Sequence, residues 1–368
     1  MEVRKGFDTT ILLLAVVLTC LGVVMVYSSS SIMAEKRYAD GFYFLKRQGL
    51  FALGGFSVMA VVMHIDYHHL RRLSVPILLS CVVLLGAVLV PGIGSNAGGA
   101  SRWIRLAGFS IQPSELAKLG LIMYMAHSLA KKGGKVKSFK VGFVPYMMVL
   151  ALLLLLLLLQ PDLGSALTLG AVAMMMLLVA GTRLTYIVSL VILALPFLYF
   201  AVMNVDYRRR RILAFLNPWE DPTNTGFQII QSWIAFGSGG WIGKGLGEGK
   251  QKLFFLPEAH TDFIFSVIGE ELGFAGVFII SAMFLLLLMR GIRAALGAPD
   301  DFGRYLACGV TLLLGLEVFV NIAVVMGMLP TKGLALPFLS YGGTSLITTL
   351  LAVGILLNVS AQVPGEVR

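Results

Sequence analysis

Long apolar segments recur along this chain and constrain its fold more than any other feature. Ten of them approach the roughly 20 residues that a helix needs to cross the hydrocarbon core of a bilayer. Only 13% of the residues are charged, whereas soluble domains carry about 25%, so a water-soluble fold could not cover itself. The sequence therefore predicts an all-α polytopic membrane protein. Its predicted spans are 10–29, 48–65, 73–90, 114–130, 142–159, 163–181, 184–203, 263–289, 305–328 and 342–360.

Lysines and arginines in the short connections predict the orientation. With the N-terminus in the cytoplasm, the cytoplasmic segments hold 14 of them and the short loops on the other side hold 7. The positive-inside rule then favours cytoplasmic N- and C-termini. The first apolar run, 11–27, follows Arg4 and Lys5 without a small-residue cleavage site, so we expect a retained span and not a signal peptide. The net charge of +10 lies in these blocks, which indicates lipid headgroups and not nucleic acid.

One long extracytoplasmic loop, 204–262, is predicted between spans 7 and 8 of a single transmembrane domain, 1–368. Loops longer than about 12–15 residues are usually functional or disordered, and the tryptophans here, among them Trp219, argue against disorder. The loop holds an arginine run, 208–211, and a glycine-rich stretch, 237–247. Residues 228–236 are predicted to form a short amphipathic helix on the membrane face.

Asp262 is the strongest catalytic candidate. It closes the loop and directly precedes the apolar run of span 8. A helix N-terminus favours its ionised form, whereas partial burial opposes it. A carboxylate balanced in this way would suit a general base that takes a proton from a sugar hydroxyl. The alternative is that Asp262 only caps the helix.

Other ionisable residues in or beside the spans are candidates because charge inside a membrane is costly. Glu115 and Lys118 are three residues apart, so they either pair on one helix face or present Lys118 to a substrate phosphate. Asp162 is predicted to cap span 6. Glu270 and Glu271 are adjacent and point about 100° apart, so we expect structural roles with different partners.

Evidence for a metal site is weak. Glu258, His260 and Asp262 alternate along the chain, but three near-neighbour ligands do not make a convincing set. We predict no protein-built metal site and leave Mg²⁺ or Mn²⁺ open as a cofactor. Residues 329–343 contain two prolines and three glycines, which indicates irregular backbone lining a cavity. Lys332 in this segment could meet an anionic headgroup.

Several of these segments together resemble the SEDS family (shape, elongation, division and sporulation) of membrane peptidoglycan glycosyltransferases. Ala259 and Thr331-Lys332 match the division branch better than the elongation branch, which stays the alternative. Ser101 stands where the family often has the first of two arginines, so a role for an arginine pair is in doubt. The motifs occur in one order along nearly the whole chain: Arg102-Trp103-Ile104, 112–118, 160–165, Pro218-Trp219, 237–240, 257–262, 269–273 and 340–343.

The resemblance implies polymerisation of lipid II into β-1,4 glycan strands at the outer face of the bacterial cytoplasmic membrane, at the division septum. It implies Asp262 as the catalytic aspartate, with lipid II and a lipid-linked glycan strand as ligands. A class B penicillin-binding transpeptidase and other divisome membrane proteins are the implied partners. The matching motifs supply the expected substrate-binding residues Arg102, Glu115, Lys118, Trp219, His260, Thr261, Lys332 and Ser340.

Two other functions remain open from the residues. A flippase for lipid-linked sugars would use Glu115, Lys118, Glu270 and Glu271 as a polar path through the membrane. A scaffold without catalysis would need none of them.

Overall fold

The computed structural model describes residues 6–97, 100–106, 109–224, 226–252, 256–257 and 259–363. These residues form twelve α-helices and one small sheet. The helices are α1 (Thr9–Tyr38), α2 (Tyr43–His64), α3 (His68–Val88), α4 (Pro113–Lys132), α5 (Val144–Leu159), α6 (Leu163–Val179), α7 (Leu184–Met203), α8 (Asp206–Leu216), α9 (Phe227–Gly239), α10 (Ile264–Leu296), α11 (Asp301–Val325) and α12 (Gly343–Ala361). The strands are β1 (Gly94–Ala97), β2 (Ala100–Leu106) and β3 (Phe109–Ile111).

Each of the ten predicted spans overlaps one long helix. Seven helices in the described part of the chain are long and apolar enough to cross a membrane: α1, α3, α5 with the turn before it, α7, α10, α11 and α12. The apolar α6 has only 17 residues. The α2 and α4 helices are long enough but carry lysine or arginine inside or near their ends. The chain is therefore a mostly helical, polytopic membrane protein.

The sheet is the exception to the all-α prediction. It joins α3 to α4, with β2 in the middle and both neighbours antiparallel to it. Ile104 pairs with Gly94 on one side and with Ile111 on the other. A connection of this length leaves many backbone amides and carbonyls to satisfy, and strand pairing satisfies them locally.

The bundle is arranged around α12. In the apolar part of α12, 83% of the residues are buried, whereas the corresponding value for α7 is 6%. The α12 helix packs most extensively against α2, and α11 packs against both α10 and α4. The core thus lies between α2, α4, α10, α11 and α12, and α7 stands at the edge with almost its whole surface facing outwards.

The connection between α7 and α10 is structured in its described part, since it contains α8 and α9. The α9 helix agrees with the helix predicted at 228–236 and packs on α10. Its Ser232 hydroxyl donates to the carbonyl of Val325 at 2.6 Å, and the Trp233 indole donates to that of Met326 at 3.1 Å. This connection is therefore docked onto the helical bundle.

The α10 helix is broken at Gly273, whose φ of 64° and ψ of −165° are not helical. The break leaves backbone groups without partners in their own helix, which is costly in a membrane. The glycine-rich stretch supplies the missing partners. The amides of Lys244 and Gly245 donate to the carbonyls of Glu270 and Glu271, and the amides of Phe274 and Ala275 donate to those of Gly240 and Trp241, all at 2.9–3.0 Å.

Candidate active site

A cavity of about 390 Å³ lies at the start of α6, between α7, α8, α11 and the segment that follows α11. Its lining carries four cationic side chains and a single carboxylate, that of Asp162. The positive residues come from three parts of the chain: Arg102 on β2, Arg208 and Arg211 on α8, and Lys332 in the segment after α11. A cavity with this balance of charge favours a multiply charged anion.

Backbone carbonyls orient the three arginines. The Arg102 guanidinium on β2 donates to the carbonyl of Pro161. On α8, Arg208 Nη1 donates to Ala201 O at 2.8 Å, and Arg211 Nη1 donates to Thr331 O at 3.1 Å. A carbonyl holds a guanidinium in place without neutralising its charge, so these contacts position the arginines for a further, anionic partner.

Lys332 lies beside the start of α6. A side chain at Gly164 would bring its Cβ within 3.3 Å of Lys332 Cε, so the absence of a side chain at this glycine allows the close approach. Burial lowers the pKa of Lys332 to about 8, with Asp162 opposing and Lys118 adding to that effect. An amine with this pKa is cationic at neutral pH and gains stability from an incoming anion.

Asp262 lies against the same segment, because its Oδ2 would be 3.1 Å from a Cβ added at Gly333, which lines the cavity. Two contacts fix the backbone around it. Asn321 Nδ2 donates to Asp262 O at 3.0 Å, and the Ser340 hydroxyl donates to Thr261 O at 2.6 Å. The structure therefore brings Asp262 and the cationic cavity to one place.

Asp262 does not occupy the N-cap position of α10. The N-cap residue of α10 is Phe263, without a side-chain cap, and the helix begins at Ile264. Asp262 thus stands one residue before the cap position. Asp162, in contrast, caps α6 as predicted, because its carboxylate accepts the Ser165 amide at 3.1 Å.

His260 and Thr261 directly precede Asp262 in the chain, and Ser340 contacts this segment through the carbonyl of Thr261. The His260 ring lies 4.7 Å from that of Phe44 and 5.7 Å from that of Tyr341, and its side chain is almost fully buried. The Ser340 hydroxyl also accepts the Leu336 amide at 2.8 Å. These contacts hold the Asp262 segment in position from the side of α2 and α12.

Glu115 and Lys118 lie apart from the cavity, in the bundle interior. Lys118 Nζ is 2.8 Å from Glu115 Oε1 and also contacts Glu317 of α11. Only 2% of the Lys118 side chain is exposed. Of the two interpretations of this pair, the arrangement matches the structural ion pair, which Glu317 extends to a triad. Lys118 is enclosed and does not line the cationic cavity.

Glu270 and Glu271 diverge, as their adjacent positions predict. Glu270 pairs with Lys244 at 2.7 Å and accepts the amides of Lys250 and Gln251. Glu271 pairs with Lys252 at 2.7 Å and accepts the Ser28 hydroxyl. Both carboxylates therefore fasten the long connection to α10.

Trp219 and the residues considered for a metal site are the last of the predicted site residues. Trp219 is 64% exposed in a short 3₁₀ turn, Pro218–Glu220, and does not line the cavity. Within the described ranges no three His, Cys, Asp or Glu side chains converge as metal ligands. Glu258, one of the three alternating residues, lies outside the described residues.

Sequence reasoning missed Arg208, Arg211 and Asn321. The arginine run stood out, but only a helix over Asp206–Leu216 turns its first and last members, three residues apart, to one face. Asn321 lies in an apolar span, where a polar residue facing the bundle interior is itself a signal.

Comparison with known proteins decides the family. The family model described as "Cell cycle protein", which covers FtsW, RodA and SpoVE, matches residues 8–364. The chain belongs to this family. It is 68% identical over 361 residues to the probable peptidoglycan glycosyltransferase FtsW of Geobacter metallireducens, covering 98% of this chain and 96% of that protein. It is also 44% identical over 353 residues to the stage V sporulation protein E of Bacillus subtilis, with 96% of both chains covered.

Solved structures of the family share the fold. A chain from a study of how a peptidoglycan synthase complex coordinates polymerisation and crosslinking matches with a TM-score of 0.80 and 32% identity, covering 96% of this chain and 97% of that one. The rod shape determining protein RodA of Thermus thermophilus matches with a TM-score of 0.71 and 30% identity, over 96% of both chains. The SEDS resemblance is thus confirmed.

Proposed function

We propose that this chain is a peptidoglycan glycosyltransferase that polymerises lipid II into β-1,4 glycan strands during septal wall synthesis. One observation carries the proposal. The Asp262 carboxylate lies against Gly333, at the edge of a cavity with four cationic side chains. A base next to a site for a polyanion is what transfer of a sugar from a lipid diphosphate requires. The names of the FtsW relatives support the same activity.

In this reaction Asp262 acts as general base. It takes the proton of the acceptor sugar hydroxyl, whose oxygen attacks the anomeric carbon of the donor and forms the new C–O bond. The bond from that carbon to the diphosphate oxygen breaks, so the α-linked donor becomes a β-linked product and the lipid diphosphate leaves. Base catalysis of this kind contributes about 10²–10⁴-fold to the rate.

The four cations stabilise the leaving diphosphate. Arg102, Arg208, Arg211 and Lys332 surround the cavity and can face the charge that develops on the departing oxygens. With only one carboxylate in its lining, the cavity is a poor site for a metal ion. If Mg²⁺ or Mn²⁺ takes part, it enters on the diphosphate of the substrate.

The membrane arrangement follows from the reaction. Ten helices cross the bilayer with both termini in the cytoplasm: α1 to α7, α10, α11 and α12. The connection from α7 to α10 then lies outside, where lipid II presents its sugars. A class B penicillin-binding transpeptidase, with other divisome proteins, is the partner that crosslinks the product at the septum, and the synthase-complex neighbour supports such a pairing.

The flippase hypothesis has less support. Its polar path required Glu115, Lys118, Glu270 and Glu271 to face a passage, but each is in an ion pair and at most 13% exposed. Opening such a path would break buried pairs, which costs several kcal/mol for each, on the order of 3–5.

Polymerisation by the purified chain with its transpeptidase partner and lipid II tests the proposal. Wild type should yield glycan strands, and Asp262→Ala should lose at least about 10²-fold in rate while still folding. Asp206→Ala is the matched control, because this aspartate starts the same connection with its side chain 78% exposed. An active Asp262→Ala enzyme would contradict the assignment of Asp262 as the general base. Headgroup translocation insensitive to Asp262→Ala would favour a flippase, and complementation by the inactive variant would favour a scaffold.

A further inference from the structure

A second cavity lies at the opposite end of the bundle from Asp262. It occupies about 240 Å³ between the start of α1, the last turns of α10 and the end of α12. It shares no residue with the proposed active site. Its polar lining comes from Asp8, Thr9, Thr10, Arg290, Arg293 and Ser360.

The charges in this second cavity do not cancel. Asp8 Oδ2 is 3.6 Å from Arg290 Nη1, so one carboxylate offsets one guanidinium. Arg293, one turn further along α10, is the surplus cation. The lining of the cavity thus carries one net positive charge.

The first amides of α1 do not account for anion binding here. Asp8 Oδ1 already accepts the amides of Thr10 and Ile11 at 2.9 and 3.3 Å. Affinity for an anion therefore comes from the two guanidinium groups, with the threonine hydroxyls as further donors.

Exposed apolar side chains continue from the cavity along both helices. Residues four apart lie on one helix face, which places Leu13 one turn beyond Thr9 and Met289 one turn before Arg293. Leu13 is 61% exposed and Met289 is 46% exposed. Seen from the cavity, both positions lie one turn closer to the middle of their helices. The walls of the cavity thus extend into a surface suited to hydrocarbon.

We propose that this cavity binds the phosphate of an anionic phospholipid, with acyl chains lying along Leu13 and Met289. A phosphodiester carries one negative charge, which balances the surplus charge of the cavity. Basic pockets between membrane helices are suited to anionic headgroups, and in the proposed orientation this end faces the cytoplasm. Free phosphate shares the headgroup chemistry but would leave the apolar walls uncovered.

Native mass spectrometry of the purified full chain in detergent tests the inference. Phosphatidylglycerol, phosphatidylcholine and inorganic phosphate are titrated separately. Wild type should retain one tightly bound phosphatidylglycerol. The double variant Arg290→Gln, Arg293→Gln should bind it about 25-fold more weakly, because each cation near an anionic headgroup contributes about fivefold. Arg304→Gln is the control, since Arg304 lies near the same end, 50% exposed and 3.5 Å from Asp301.

A second variant protects the test against misfolding. Thr9→Glu places a carboxylate in the first turn of α1, where the helix dipole tolerates it, and should repel the phosphate without touching the arginines. Thermal unfolding in lipid-free detergent checks that each variant is folded. Equal retention of phosphatidylglycerol by wild type and both variants would overturn the site. Equal affinity for phosphatidylcholine, or displacement of the lipid by millimolar phosphate, would overturn the anionic lipid as its ligand.

Discussion

Asn321 links the two halves of the proposed active site through one side chain. Its amide nitrogen donates to Asp262 O at 3.0 Å and to Leu334 O at 2.7 Å, and the residue is 1% exposed. Asp262, the proposed general base, and the segment with Lys332 are therefore held by the same group. A hydrogen-bonded residue behind a catalytic side chain controls its position, and a displacement of about 1 Å can cost on the order of 10² in rate.

We predict that Asn321→Leu lowers kcat by about 10²-fold and changes KM for lipid II little, because it releases Asp262 without removing a cation. Asn358→Leu is the matched control. Asn358 is also buried, donates to Met63 O at 2.8 Å and accepts the Tyr67 amide at 2.9 Å, but outside the active site. It should lower thermal stability to a similar extent and leave kcat near wild type. An equal loss of kcat in both variants would contradict a positioning role.

We predict that Lys332 makes substrate binding at the proposed active site depend on pH. Its pKa of about 8 lies below the ordinary value because burial penalises the ammonium. The cationic form, which we propose binds the diphosphate, is therefore present below about pH 8 and is lost as the pH rises through that value. We expect KM for lipid II to increase by about tenfold between pH 7 and 9.5, as one charge-assisted contact is lost.

Lys332→Arg separates this cause from others. Arginine stays protonated throughout the range, so this variant should keep a flat KM across it. Lys332→Met should show a high KM at every pH. A wild-type KM that stays constant up to pH 9.5 would argue against Lys332 as a ligand of the diphosphate.

At the scale of elements, α10 and the connection before it form one unit. The glycine-rich stretch satisfies backbone groups left by the break at Gly273, and two lysine–glutamate pairs fasten the same connection to α10. The two pairs differ in burial, since the Lys252 side chain is 4% exposed and that of Lys244 is 30% exposed. Glu270 also accepts two backbone amides, whereas Glu271 accepts the Ser28 hydroxyl.

We therefore predict that Lys252→Met destabilises the protein more than Lys244→Met. Removing one partner of a buried pair costs roughly 3–5 kcal/mol, and a better solvated pair costs less. Thermal unfolding in detergent should show the larger fall in Tm for Lys252→Met. The double variant Lys252→Met, Glu271→Met, which removes both charges, should recover part of the loss. The reverse order of stability would show that the Lys244 pair is the principal fastening.

At the scale of the whole molecule, α12 and α7 differ most in burial, because α12 is enclosed by other helices and α7 is almost fully exposed. The proposed active site is lined partly by α7, which has the smallest buried share of the seven candidate spans in the described part of the chain. All the groups proposed for chemistry lie at one end of the bundle, and the proposed lipid cavity lies at the other. The reaction therefore depends on the sidedness of the membrane protein.

Cysteine accessibility tests that sidedness. Thr223→Cys in the connection between α7 and α10 should react with a membrane-impermeant maleimide in intact spheroplasts. Lys137→Cys, between α4 and α5, should react only after the membrane is permeabilised. Both positions are exposed. The background is a chain whose three native cysteines, Cys20, Cys81 and Cys308, are replaced. Labelling of Lys137→Cys in intact spheroplasts would show that the orientation is the reverse of the proposed one, with Asp262 on the cytoplasmic side.

The sequence by itself determined the features that depend on neighbours along the chain. Apolar runs of span length predicted the long helices, because a membrane helix must satisfy its own backbone and face lipid. Asp162 was predictable as a cap since its partner, Ser165, is three residues away. The sheet at 94–111 was missed, because short irregular strands lack a clear period.

Only the tertiary structure decided which polar groups meet. The sequence left two interpretations of Lys118, and the structure decides between them through Glu317, which is 199 residues away in sequence but lies on the neighbouring helix α11. Arg211 and Thr331 are 120 residues apart in sequence, yet they share a hydrogen bond at the cavity. Periodicity shows which face of a helix is buried but not which other helix lies against it. The ten apolar segments thus established a membrane bundle, and their packing, which long-range contacts fix, placed Asp262 against Gly333 at the edge of a cavity lined by four cations.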